Sequence, residues 1–230
     1  MQHRKMLQAL KPYIGDGFFF VNIGANDGIT NDPIYPLIQK YSCSGIAVEP
    51  EPACFLQLKK NMAPYPGIIC ENIAISDTPL PLYHLSDEMV KLEPILNQLS
   101  SFDRHYLEMK LHKMVAGEFQ EDRLTKNPLP AADVMCQHII KSHVECMSFN
   151  ELMKKHNVQH IDFLNIDAEL FDYPILASID FSRYAPRVLC IESIVFDGQT
   201  NEQFQTLMQV NRYKFLQRFG LPSEIYVREF

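Results

Sequence analysis

Three carboxylates each follow directly on an apolar run: Glu49 after residues 45–48, Asp167 after residues 161–166 and Glu192 after residues 187–191. A fourth apolar run, residues 18–23, enters the loop Gly24-Ala-Asn-Asp-Gly28. Carboxylates accept hydrogen bonds from hydroxyls and attract cations, and glycines let a backbone come close to a ligand. In an open parallel sheet, ligands bind outside the carboxyl ends of the strands, so the loop and the three acids are expected to converge on one crevice. One acid at a strand end is more often a cap or a solvated residue. Three such ends together with a glycine loop favour a ligand site. An acid at the end of the second strand can accept bonds from ribose hydroxyls, which suits an adenosine-containing ligand. The glycines are spaced G-x-x-x-G and lack the G-x-G-x-x-G of dinucleotide sites.

The elements that must position these groups can be read from periodicity. Residues 4–13 have helical spacing, and residues 18–23 form a continuous apolar run suited to a strand buried on both faces. Asp32-Pro33 offers a cap and first-turn pair for a helix through Tyr41, and Glu51-Pro52 opens a second helix over residues 53–61. Strands are expected at residues 46–48 and 67–70, with a further apolar piece at 73–75 and a strand at 80–85 turning back along the sheet edge. From about residue 86 to 137 the chain is polar and interrupted by Pro94, Gly117, Pro128 and Pro130. This stretch reads as an insertion with a helix over 103–116 and a loop over 118–132. Alternation resumes with a strand near 139–147, a helix at 149–156, the Asp167 strand, a helix at 171–178 and the Glu192 strand. A helix over 202–210 and an edge hairpin of residues 213–219 and 224–227 close the chain. The expected architecture is one α/β domain over 1–230: a doubly wound, mostly parallel sheet carrying a helical insertion.

Composition narrows the function classes. The net charge of −7, with no run of Lys and Arg, speaks against a general nucleic-acid binder. No apolar segment is long enough to span a bilayer, and the first ten residues lack the apolar core of a secretion signal. Six cysteines (Cys43, Cys54, Cys70, Cys136, Cys146 and Cys190) form no C-x-x-C pair, which favours free thiols in a reducing compartment. A cytoplasmic location is expected.

The motifs resemble the FkbM-type S-adenosylmethionine-dependent methyltransferases. The resemblance lies in Val21-Asn-Ile-Gly-Ala-Asn-Asp-Gly28 and its continuation to Pro33, in Gly45-Ile-Ala-Val-Glu-Pro50, and in Asn72-Ile-Ala-Ile-Ser76. It continues in Ile161-Asp-Phe-Leu-Asn-Ile-Asp-Ala-Glu169 and Cys190-Ile-Glu192. It implies a seven-stranded, Rossmann-like class I fold, S-adenosyl-L-methionine as cofactor, and methyl transfer to a hydroxyl of a sugar, glycan or small natural product. It also implies that Gly24, Ala25, Asn26 and Gly28 hold the methionine moiety and that Glu49, followed by Pro50, takes the ribose hydroxyls. Asn72, Ile73 and Ala74 would flank the adenine, and Asp167 would lie near the sulfonium and the acceptor. Asn22 is also a candidate cofactor-binding residue, since its amide can accept a hydrogen bond from the donor. It stands where the family usually has an acid near the donor's amino group, and Leu170 stands where a glycine is usual.

Methyl transfer to a hydroxyl depends on positioning and often on a base that takes the proton. Asp167, His84 and His105 are the candidate catalytic residues, the histidines because imidazole titrates near neutrality. His156 and His160 lack a matching carboxylate pattern, so no zinc site is expected, and a divalent ion on Asp167 and Glu169 is the lesser alternative. A dinucleotide-dependent oxidoreductase and a non-catalytic module retaining the fold are the competing functional readings. The acceptor is expected to be a small molecule or glycan, with oligomeric state left open.

Overall fold

A computed structural model describes residues 2–118, 127–193, 196–219 and 223–229. Helix α1 (Gln2–Leu10) precedes β1 (Phe19–Ile23), and a single helical turn, α2 (Tyr35–Ile38), leads to β2 (Ser44–Val48). Helix α3 (Pro52–Met62) connects to β3 (Ile68–Glu71), followed by the two-residue β4 (Ala74–Ile75). Next come β5 (Pro81–Leu85), α4 (Asp87–Leu92), a 3-10 segment (Pro94–Gln98), β6 (Ser100–Ser101), α5 (Arg104–Val115) and α6 (Ala132–Gln137). They lead to β7 (Ile139–His143), β8 (Cys146–Met147), α7 (Phe149–Lys155), β9 (Phe163–Ile166), α8 (Asp172–Ser178) and α9 (Phe181–Tyr184). The chain then runs through β10 (Val188–Ile191), α10 (Gly198–Val210), β11 (Tyr213–Phe219) and β12 (Ser223–Arg228).

Seven strands form the main sheet in the order β11-β12-β10-β9-β1-β2-β3. The five strands from β10 to β3 are parallel, and β12 and β11 run antiparallel at one edge. Both faces are covered, which is why the central strands are continuously apolar. Val21, Ile23, Leu164 and Ile166 face a cluster with α7, α8 and α10, while Phe20, Ala47 and Phe163 face one with α1, α2 and α3. The fold is α/β and doubly wound. After β1 the chain proceeds to β2 and β3 on one side, and after β9 to β10 on the other. The carboxyl ends of β1 and β9 therefore flank the point where the winding reverses, the place such sheets offer for a ligand.

Several elements differ from the sequence reading. Residues 81–85 do not extend the main sheet: β5 is the centre of a separate antiparallel sheet, β6-β5-β7. The run expected as one strand over 139–147 is split, with β7 in that small sheet and β8 paired to β4. In β5 only Leu82 and Leu85 are buried and in β7 only Ile139, so these strands do not read as solid apolar runs. The small sheet packs with α4, α5 and α6 around its own core of Leu85, Met89, Leu96, Leu107, Leu111 and Met135. The expected helix after Asp32 shrinks to α2, and α10 begins at Gly198 because Asp197 caps it through the Thr200 N–H at 2.7 Å. Part of the loop expected over 118–132, residues 119–126, lies outside the described residues. Among the described residues no helix is long and apolar enough to cross a membrane.

Candidate active site

The carboxyl ends of β1, β2 and β9 open into a cleft of about 1100 Å³ including its mouth. Its floor begins where β1 stops. The Gly24 and Ala25 amides both donate to the Val48 carbonyl, at 3.0 and 2.9 Å, and the Asp167 amide donates to the Ile23 carbonyl at 3.0 Å. Gly24 has φ +75°, and a Cβ there would lie 1.8 Å from the Asp167 carbonyl oxygen. Only glycine permits that approach, so the turn brings the Gly24 loop and the Asp167 turn against each other.

Glu49 projects from the end of β2 and is buried. Its Oε2 accepts the Asn26 N–H at 2.8 Å and its Oε1 the Glu51 N–H at 2.8 Å. Burial pushes its pKa up to about 7, against the lowering effect of these two bonds. Each carboxylate oxygen retains a further lone pair, so Glu49 can accept hydroxyls while it ties the glycine loop to β2. Asn72 donates through Nδ2 to the carbonyls of Glu49 and Pro50, at 2.8 and 3.1 Å, and so fixes that corner from behind. Val48, Pro50, Ile73, Ala74 and Ile75 supply an apolar wall beside it.

Asp32 also lines the cleft, with Thr30, Asn31 and Pro33. Its Oδ1 accepts the Ile34 and Tyr35 N–H groups at 2.6 and 2.8 Å, and its Oδ2 accepts from Asn22 Nδ2 at 2.6 Å. Burial raises its pKa to about 6 despite those bonds. The third wall is the turn after β9. There Lys110, from α5, reaches Glu169 at 2.5 Å. Burial opposes the Lys110 charge, but Glu169, Tyr106 and Asp167 outweigh it and hold the ammonium above its usual pKa. Glu169 and Leu170 take positive φ, +50° and +77°, so this turn keeps a backbone shape that glycine would ordinarily supply. Leu82, Gln98, Leu99, Ser100, Ser101 and Phe102 close the cleft from the small sheet and its 3-10 segment.

Of the residues singled out from sequence, Gly24, Ala25, Asn26, Glu49, Pro50, Ile73, Ala74 and Asp167 line this cleft together. Asn22 and Asn72 stand behind its wall and bond to residues that do line it. Gly28 turns away: a Cβ there would meet Leu58 Cδ1 and Met62 Cε on α3, at 2.6 and 2.8 Å. Glu192 does not line the cleft but shares the electrostatic neighbourhood of Asp167, and burial together with Asp167, Glu169 and Asp172 pushes it up to about 10. His84 is turned into the small sheet, with Nε2 2.8 Å from Ser142 Oγ and Nδ1 3.1 Å from the Leu85 carbonyl. His105 is exposed on α5. Neither histidine is among the cleft residues, because both elements turn their other faces inward. Among the described residues no group of three or more His, Cys, Asp or Glu is arranged to hold a metal ion.

Two cleft groups escaped the sequence reading. Asp32 looked like a helix cap, a duty it performs for two amides while also facing the cleft. Lys110 had a readable signal: it falls on the apolar face of α5 with Leu107, Leu111 and Met114, where a charge needs a partner.

The arrangement pairs a buried hydroxyl-accepting carboxylate and an apolar slot with further carboxylates that favour a cation. Comparison with known proteins identifies the family. A family model described as methyltransferase FkbM domain matches residues 22–216. A structure titled methyltransferase FkbM, from Methylobacillus flagellatus KT, has a TM-score of 0.53 at 10% identity, covering 93% of this chain and 44% of that one. The chain thus spans less than half the length of that protein. A ribosomal protein L11 methylase from Lactobacillus delbrueckii subsp. bulgaricus follows with a TM-score of 0.42 at 9% identity, covering 99% of this chain and 79% of that one. The Methanococcus jannaschii fibrillarin pre-rRNA processing protein gives 0.44 at 10% identity, covering 100% and 76%. No curated protein matches the chain by sequence. With the family model extending over most of the chain, and its glycine loop, Glu49 and Asp167 gathered in one cleft, this protein belongs to the FkbM methyltransferase family.

Proposed function

We propose that the protein is an S-adenosylmethionine-dependent O-methyltransferase acting on a hydroxyl of a sugar, glycan or small natural product. One observation carries the reading: Glu49, buried at the end of β2, bonds the glycine loop and faces the same cleft as Asp167. The side chains present suit that cofactor. Glu49 would accept the ribose hydroxyls, the wall of Pro50, Ile73 and Ala74 would flank the adenine, and the backbone of Gly24 to Asn26 would approach the methionine portion. When bound, the cofactor supplies an electrophilic methyl group on a sulfonium.

The chain's own residues have the remaining tasks. Asp167 would stabilise positive charge at the strand ends and take a proton from an acceptor hydroxyl held between it and the small sheet. Leu99, Ser101 and Phe102 exclude water from that side of the cleft and orient the acceptor. His84 and His105 point elsewhere, which leaves the cleft carboxylates as the bases within reach. The family membership gives no support to dinucleotide-dependent oxidation. The six thiols are all free, in keeping with a cytoplasmic, reducing setting.

Calorimetric titration with S-adenosylhomocysteine tests the reading. Micromolar binding by the wild type, weakened at least tenfold in Glu49→Ala, is the expected result. Absence of binding into the millimolar range would overturn it. Binding without methyl transfer to any hydroxyl acceptor would identify a non-catalytic member instead.

A further inference from the structure

The amino-acid end of the proposed methyl donor carries an α-ammonium group, which needs an anionic partner in a cleft that excludes water. Asn22, at the end of β1, is neutral, and its polar atoms are already engaged. Its Oδ1 accepts from Asn165 Nδ2 at 2.8 Å, and its Nδ2 donates to Asp32 Oδ2 at 2.6 Å. Asn165 is the register partner of Asn22 on β9, so the two amides form a cross-strand pair. The directions of these bonds follow from chemistry, because an ionised carboxylate only accepts. The amide of Asn22 must therefore turn its donor to Asp32 and its carbonyl oxygen to Asn165.

Asn22 and Asn165 in this way anchor a carboxylate that is 7% exposed and lines the cleft. Asp32 is bonded to Asn22 of β1, while Glu49 follows β2. The Gly24 loop follows β1 directly and is tied to Glu49 through the Asn26 N–H. Glu49 faces the apolar adenine wall, and Glu169 is taken up by Lys110. Asp32 has a lone pair left on Oδ2 after its three bonds.

We propose that Asp32 binds the α-ammonium group of the methyl donor, with Asn22 as the positioning residue that holds its carboxylate against the cleft. The proposal rests on the donor assignment made above. A charge that position 22 does not supply is delivered across one hydrogen bond from the loop ahead of α2. Burial leaves Asp32 with a pKa of about 6, a carboxylate that gains from a cation beside it.

Two ligands separate this role from a structural one: S-adenosylhomocysteine, and methylthioadenosine, which lacks the amino-acid end. Affinities are measured by calorimetry near neutral pH. Asp32→Asn is expected to weaken S-adenosylhomocysteine about tenfold or more and to leave methylthioadenosine within about twofold. The exchange Asn22→Asp with Asp32→Asn keeps these hydrogen bonds, reversing only the one between positions 22 and 32, and moves the carboxylate one hydrogen bond back, to position 22. It is expected to regain the preference for S-adenosylhomocysteine, and it decides the matter if the single variant does not fold. Equal weakening of both ligands by Asp32→Asn, no weakening of either, or an exchange variant without the preference would overturn the proposal. If the wild type binds neither ligand, the donor assignment itself falls.

Discussion

Gly24 and Gly28 share a positive φ, +75° and +73°, yet they answer to different neighbours. A side chain at Gly24 would collide with the Asp167 backbone, which cannot move without breaking the β1–β9 pairing. At Gly28 it would meet the ends of Leu58 and Met62, which can rotate away. Gly24→Ala is therefore expected to cost about 3 kcal/mol or more, and Gly28→Ala about 1 kcal/mol, read from urea midpoints. The reverse order would refute this account. Glu49 sets a second residue-scale expectation. Its folded-state pKa of about 7 lies above the ordinary 4.5, so the folded protein holds that proton more tightly than the unfolded chain. Its contribution to ligand-free stability is greatest below the unfolded pKa and is lost as pH rises through the folded one, a change of about 3 kcal/mol. Glu49→Gln should flatten the fall in urea midpoint between about pH 5 and about pH 8 by that order. An unchanged slope would count against it. Under the proposed function, donor affinity runs the other way, because ribose hydroxyls are accepted best by the ionised form.

At the scale of elements, the strands that make the site were the easiest to read. β1, β2, β9 and β10 are buried on both faces, so their sequences are nearly solid apolar runs that end where polar function starts. The small sheet was hidden because β5 and β7 are only partly buried, and they pair with each other across more than 50 residues of chain. Its pairing depends on contacts that no local pattern encodes. Cleft membership was also only half legible: Glu49 and Asp167 follow strands directly, whereas Lys110 arrives on a helix from another part of the chain. His84 and His105 were drawn in by residue type, and strand and helix orientation turned them out. The turn after β9 offers a test at this scale. Leu170 sits at φ +77°, where branching at Cβ is especially unfavourable. Leu170→Val should lower stability by about 1 kcal/mol or more, while Leu170→Gly holds or raises it. Denaturant titrations in which valine matches or exceeds glycine would be inconsistent with the observed turn.

For the whole molecule, the division into a large sheet and a small one is the governing feature. The small sheet and its helices share one hydrophobic cluster, separate from the two that cover the main sheet. Polar links join the two parts at Lys110–Glu169, at Ser101 with the Glu169 carbonyl, and at Cys54–Asn97. Amides of β5, β7 and α5 are expected to exchange with deuterium by openings of lower free energy than those of β1 and β9, measured by mass spectrometry under native conditions. Equal protection in both sheets would show one cooperative unit instead. This partition has a consequence for how the protein can change over generations. The large sheet supplies the loop and the strand-end acids, and the small sheet supplies the opposite wall with a core of its own. Substitutions that reshape that wall draw on a separate reserve of packing, so selection can alter what enters the cleft without disturbing the grip beneath it. Under the proposed function, libraries confined to residues 82–102 are the economical place to look for new acceptors.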